Sequence, residues 1–392
     1  MILTAISFII LLSVLVIIHE AGHYFTAKKL GIKVEEFGFG LPPRAFGIKR
    51  GETIYSINWL PIGGFVRLYG EDEAGSGRVQ VKSEKLKVKS SDEGRAFYAR
   101  SAGQRALVVV AGVIMNTLLA IVIYYIFMFI SGFKTELPLL GQYNFIGVDQ
   151  TITSQVVISD VAKNSPAAKA GVTPGEILVK LDGNSKVNAN DIKGIINSHL
   201  GKPMSITWKD PTTNQSHTAT LIPRVNPPKN QGAVGIAFFS ADTVILDYHT
   251  PLQKFFSGIT HPINLMGYNF AIMAKLVAIS FQQHSAAPVS QGLAGPVGIY
   301  SIVGTIVHIP DIKERILEIL NLAGTLSISL AIFNILPIPA LDGGRFFFIL
   351  FEMVTRRKVN QKFESYAHAV GMAVLLLLIL LITIKDIGQF FK

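Results

Sequence analysis

The feature that most constrains folding is the run Ile2–Ile18, 17 residues broken by polar side chains only at Thr4, Ser7 and Ser13. As a helix it reaches about 26 Å, enough to cross the hydrocarbon core of a bilayer. No basic segment precedes it and no small-x-small site follows it, so it reads as a retained span and not as a removed leader. Three further runs, Ala106–Ile130, Ile316–Leu336 and Ala369–Ile384, have comparable length and character. With 49% hydrophobic and 16% charged residues and a mean hydropathy of +0.43, the balance is that of a membrane protein. The predicted fold is a polytopic α-helical membrane protein with four transmembrane helices.

The net charge of +10 does not indicate nucleic acid, because the basic residues do not gather in a stripe with interleaved aromatics. They follow topology instead. Residues 24–105 carry 15 Lys and Arg, and the loop before the last run holds Arg345, Arg356, Arg357, Lys358 and Lys362. The segment 132–315 has 14 over more than twice the length of the first loop. The positive-inside bias then places the two dense loops in the cytoplasm and the long segment outside. Pro251–Gln283 is apolar but broken by Lys254, His261, Pro262, Asn264, Asn269 and Lys275, and reads as a helix pair lying in the interface.

At the inner end of the first run stands His19-Glu20-Ala21-Gly22-His23, the HExxH pattern. Residues four apart share a helix face, so His19 and His23 can ligate one Zn²⁺ while Glu20 acts as general base on water beside it. There is no cysteine, so any zinc must be held by His and carboxylates. A catalytic zinc usually takes three protein ligands, and Asp342 is the candidate third. It follows Asn334-Ile-Leu-Pro337-Ile-Pro339-Ala-Leu341, where the prolines end a helix and Gly343-Gly344 allows a sharp turn. A turn-capping Asp is the alternative. The other histidines, His199, His217, His249, His261, His284, His308 and His368, lack ligand spacing and read as surface or interfacial residues.

Between the first two spans, Ile54–Trp59 followed by Pro61, Gly63 and Gly64 reads as a strand entering a tight loop that dips into the membrane. Its edge, with Ile57, Asn58, Gly63 and Gly64, is the candidate surface for strand addition by an extended substrate. Residues 71–95, rich in Lys, Glu, Ser and Gly, read as a cytoplasmic loop. In the outer segment, 147–225 reads as a small α+β domain. Ser165 caps a helix with Pro166 at its first position, Ile177–Leu181 and Met204–Trp208 are strands, and Asn190–Leu200 is a second helix.

The pairing of HExxH with NxxPxPxLDGG resembles the site-2 protease (M50) family of intramembrane zinc metalloproteases, specifically the group of the bacterial regulator of sigma-E protease. Gly112-xxx-Asn116, Gly38-Phe39-Gly40, the unit around Ser165–Gly183 and Gly295-Pro296-Val297-Gly298 support it. The resemblance implies zinc as cofactor and a bacterial inner membrane as location. It also implies regulated proteolysis of single-pass membrane proteins, such as anti-sigma factors or remnant signal peptides. It makes Asp342 a zinc ligand, links Asn116 and Asn334 to substrate binding, and makes the outer unit a single PDZ domain open to a peptide or substrate tail. The organisation expected is a first span with HExxH (1–24), a cytoplasmic and membrane-dipping β-rich region (25–105), a second span (106–131) and a linker (132–146). A PDZ domain (147–225), an outer segment with interfacial helices (226–315), a third span with LDGG (316–344), a cytoplasmic loop (345–367) and a fourth span (368–392) follow.

Overall fold

The computed structural model describes residues 1–71, 93–184, 189–210, 215–357 and 359–390. Most of the loop expected at 71–95 lies outside the described residues. The chain divides into two compact units, Met1–Gly132 with Phe255–Lys392, and Phe133–Lys254.

The first unit opens with α1 (Ile2–Lys29), then two long strands, β1 (Val34–Arg50) and β2 (Thr53–Leu68), and α2 (Ala102–Ser131). Ser101 and Gln104 form a reciprocal capping box at the start of α2, and Gly132 ends it in the left-handed conformation. The second unit runs through β3 (Lys134–Leu139), β4 (Asp149–Val161), α3 (Pro166–Lys169), β5 (Ile177–Leu181), α4 (Ala189–Ser198), β6 (Met204–Lys209), β7 (Ser216–Leu221) and β8 (Ile236–Asp247). The chain then returns to the first unit through α5 (Pro251–Gln282), α6 (Ala287–Gln291), α7 (Pro296–Val307), α8 (Ile312–Ile335), α9 (Asp342–Thr355) and α10 (Gln361–Phe390).

Five helices among the described residues are long and apolar enough to cross a membrane: α1, α2, α5, α8 and most of α10. Contacts order them. Gly22 and His23 of α1 face Ala111 and Gly112 of α2, while His19 reaches Asn116, so the two helices run in opposite directions. The Ser327 hydroxyl donates to the Asn116 carbonyl and Tyr124 meets Thr325, so α8 also opposes α2 and runs with α1. His368, near the start of α10, accepts from the Ala340 amide, whereas Asp386 near its end accepts from the amides of Gly295 and Gly298.

Two expectations need correction here. The segment 251–283 is one helix and not a pair, because Pro262 is accommodated inside it. A proline there only removes one amide and crowds the carbonyl of Gly258, at a point where α5 lies against the ring of Tyr125. The loop expected at 345–367 contains α9, whose apolar residues Phe347, Leu350, Phe351 and Val354 fall on one helical stripe.

The second unit is a six-stranded sheet in the order β3-β8-β4-β5-β6-β7, every neighbouring pair antiparallel. Ile158, Leu178, Leu181, Ile192, Met204, Ile206 and Trp208 form its buried core. The Ser165 hydroxyl accepts from the Ala168 amide, fixing the start of α3 as the Ser-Pro sequence requires. The sheet reaches beyond 147–225: β3 lies in the segment read as a linker and β8 in the segment after it.

Candidate metal centre

His19 and His23 stand one turn apart on α1, so both imidazoles leave the same face. That face meets α2 where Gly112 has no side chain. A Cβ there would lie 2.5 Å from His23 Nε2, and one on Gly22 would lie 2.4 Å from the Ala111 carbonyl oxygen. Small residues on both helices let the backbones approach and bring the imidazoles under α2.

Asp342 arrives from the other side of the sequence. After α8 ends, the chain turns through Leu336–Leu341 with Ala340 at φ 84°, and Asp342 opens α9. The glycines after it serve a different purpose from the sharp turn expected. Neither has a positive φ. A Cβ on Gly343 would lie 2.0 Å from the Leu336 carbonyl oxygen, and one on Gly344 2.6 Å from that of Ile338. They let α9 start flush against the turn that precedes it.

The three side chains converge. Asp342 Oδ2 lies 3.0 Å from His19 Nε2 and 3.2 Å from His23 Nε2, and the two Nε2 atoms are 3.2 Å apart. A tetrahedral zinc with bonds of 2.0–2.1 Å separates its ligand atoms by about 3.3 Å, so this triangle has the size of one face of such a site. Among the described residues it is the group of His and acidic side chains able to hold a metal.

The outer nitrogens of both rings are occupied. His23 Nδ1 sits 2.8 Å from the Val108 carbonyl oxygen, which can only accept, so Nδ1 carries the proton and Nε2 offers its lone pair. The Asn116 amide lies 3.3 Å from His19 Nδ1. The amide nitrogen is the atom turned to the ring; with the amide flipped, its oxygen accepts from a proton on Nδ1 and Nε2 faces the metal position. Asn116 is fully buried, and one atom of its amide lacks a partner among the described residues in either orientation. Asn334 Nδ2 lies 3.5 Å from His19 Nε2, at the rim of the same cluster. Glu20 follows His19 on α1, and its Cγ would lie 3.3 Å from a Cβ built on Gly64 of β2.

The β region differs from the single edge expected. Both strands bend, so four segments pair: Arg44–Arg50 with Thr53–Asn58, that segment with Glu36–Phe39, and Val34–Phe39 with Gly64–Leu68. Ile57 pairs with both Phe46 and Phe39 and is therefore internal to the sheet, although its side chain is exposed. Asn58 is buried, and its amide donates to the Gly40 carbonyl at 2.8 Å, so its polar atoms hold the sheet together. The segment beginning at Gly64 pairs on one side only among the described residues, and Gly63 precedes it at φ 84°. This edge rests on α1 beside Glu20 and Val16.

Other contacts were missed. Arg345 pairs with Glu71 at 2.5 Å and Arg105 with Glu352 at 2.7 Å. His368, read as surface or interfacial, is buried and accepts from Ala340, and His261 is buried against Tyr124 and Phe127. Only Asp342's neighbourhood in a motif hinted at Arg345; nothing local hinted at Glu71.

The profile of peptidase family M50 matches residues 7–378. A candidate zinc metalloprotease of Clostridium perfringens is 31% identical over 375 residues, covering 96% of each chain. The regulator of sigma-W protease RasP of Bacillus subtilis is 27% identical over 453 aligned positions, covering 99% of each chain. A PDZ domain of an SdrC-like protein from Listeria innocua is 22% identical, covering 21% of this chain and 92% of its own, at a TM-score of 0.19. The match spans the helices that carry both imidazoles and the carboxylate, and the chain belongs to peptidase family M50, the site-2 protease family.

Proposed function

We propose that this protein is an intramembrane zinc endopeptidase that cuts single-pass membrane proteins within or beside their spanning segments. The observation that carries the reading is the His19–His23–Asp342 triangle, formed by two side chains some 26 Å along α1, a helix long enough to span, and one from the start of α9. A zinc ion bound there would polarise the scissile carbonyl and lower the pKa of water. Glu20, adjacent to both ligands on α1, takes the proton from that water and returns it to the leaving amine. The Val108 carbonyl and Asn116 fix the ring tautomers, and Asn334, at the rim, contacts the substrate backbone.

A helical peptide bond is shielded by its own turns, so the substrate must be extended before attack. The Gly64–Leu68 edge is the natural partner for such a strand, because it is unpaired on its outer side among the described residues and begins beside Glu20. Gly63 and Gly64 thus remain in the substrate surface, while Ile57 and Asn58 support it from within the sheet.

The topology that fits has four spans, α1, α2, α8 and α10, in a bacterial inner membrane, with α5 lying along the outer face. Both ends of α5 are tied far from the metal centre. Tyr125, about 20 Å along α2 from Gly112, donates to the Phe255 carbonyl at its start. At its end, Ser280 meets Val289, and Lys385, about 26 Å along α10 from His368, donates to the Ser290 carbonyl. A helix that starts and finishes at one level does not cross. The unit Phe133–Lys254 is then outside and acts as a PDZ-type filter that binds a tail and excludes substrates with bulky outer domains.

The test is cleavage of a model single-pass substrate by wild type and Glu20→Gln, with zinc measured in both. Full zinc in both with cleavage reduced about 10³-fold in the variant is the expected result; equal cleavage would remove the proposal.

A further inference from the structure

The sheet and the metal ligand are joined by an ion pair that the proposed chemistry does not use. Arg345 lies three residues after Asp342 on α9, so the two side chains leave neighbouring positions of one helix. Its guanidinium pairs at 2.5 Å with Glu71, three residues beyond the end of β2, and the two side chains are 21% and 17% exposed. Glu71 is tied back to the strand, because its other oxygen accepts from the Leu68 amide and its own amide donates to the Leu68 carbonyl. The strand that ends at Leu68 is the one whose start, Gly64, rests on Glu20. At its far end α9 is held by a similar pair, Glu352 with Arg105 at 2.7 Å, which reaches α2 and not the sheet.

Resting on the metalloprotease reading above, we propose that Arg345 and Glu71 are positioning residues that lock the sheet edge to the helix carrying the metal-ligand carboxylate. Strand and carboxylate then move as one body. A substrate strand that docks on Gly64–Leu68 is presented to a ligand set whose third member is held by the same strand. Without the pair, the first turn of α9 keeps the contacts of Asp342 with His19 and His23, the Ala340–His368 hydrogen bond and the close packing at Gly343 and Gly344, but loses its tie to the sheet.

The test uses the full chain in detergent, with zinc affinity measured by chelator competition and kcat and KM measured on a single-pass substrate. The variants are Arg345→Met, Glu71→Gln, the exchanged pair Glu71→Arg with Arg345→Glu, and the control Arg105→Met. Each single variant is expected to lose about tenfold in zinc affinity and about tenfold in kcat, with KM changed less than about threefold. The exchanged pair should recover most of both losses, and Arg105→Met should keep zinc affinity within about twofold of wild type. Unchanged zinc affinity in Arg345→Met and Glu71→Gln would overturn the proposal. So would an equal loss in Arg105→Met, which would make the effect general loosening of α9. A wild type without zinc or cleavage would instead defeat the underlying metalloprotease reading.

Discussion

The metal centre and the sheet beside it are built by opposite means. At the centre, backbones touch: Gly112 and Gly22 admit the two imidazoles under α2, and Gly343 seats α9 against its own turn. On the sheet, large side chains stay uncovered, with Phe46, Ile48, Ile57, Trp59 and Leu60 all exposed by half or more. The first arrangement brings three ligand atoms within 3.2 Å of one another and leaves no room for an added methyl at these glycines. The second offers an apolar surface and an unpaired backbone edge, which suits lipid and a variable substrate. The contrast separates parts that must be rigid for chemistry from parts that must accept many sequences.

The largest effect should come from closing the gap at the centre. Gly112→Val places methyl groups where His23 Nε2 and His19 Cε1 already stand, so bound zinc should fall at least tenfold. Gly103→Val on the same helix, where a Cβ meets nothing within 4 Å, should leave zinc unchanged, as metal analysis of the two proteins would show. If both kept zinc, close approach would not be what shapes the site.

On the sheet the expected effect is smaller and of another kind. Val66→Pro removes a backbone donor from the Gly64–Leu68 segment and should lower kcat/KM about tenfold while zinc stays bound. Trp59→Ser, at the exposed surface, should change bound zinc little, as metal analysis would show. Loss of zinc in Val66→Pro would mean that the damage is not confined to the docking edge but runs through Leu68 and Glu71 to Arg345.

The smallest effect is a pH dependence at the turn between β1 and β2. The hydrogen bond from Arg95 and the ammonium of Lys28 hold the Glu52 carboxyl at about 2 against the opposing pull of partial burial. A depressed carboxylate stabilises the fold above its ordinary pKa of about 4.5, and the contribution disappears as pH falls from there towards 2. After solvent screening it should amount to about 1 kcal/mol, seen as a drop in melting temperature at acid pH that Glu52→Gln lacks.

Much of the centre was legible because its signals are local. The i, i+4 spacing of His19 and His23 places both on one face, and the prolines before Asp342 mark the end of a helix. The partners that set the ring tautomers were harder to find, since Val108 contributes only a carbonyl, which every residue has. Glu71 and Arg345 are 274 positions apart, and no periodicity links them. The register of the sheet was also hidden. Two strands that bend and pair twice look in sequence like a hairpin, so Ile57 reads as an edge residue although it is internal. For the same reason Asn58, a polar residue near a loop, reads as a substrate contact although its amide is spent on Gly40. Helix α9 was missed because its charged ends, Arg345 and Arg356, look like loop residues once its short apolar stripe is set beside spans of twice its length.

The central claim is that His19, His23 and Asp342 share one cation. Zinc content of the purified full-length protein, compared among wild type, His23→Ala and Asp342→Ala, tests it most directly. About one zinc per chain in the wild type and close to none in either variant is the predicted outcome. Stoichiometric zinc retained in both variants would place the metal elsewhere and contradict the account.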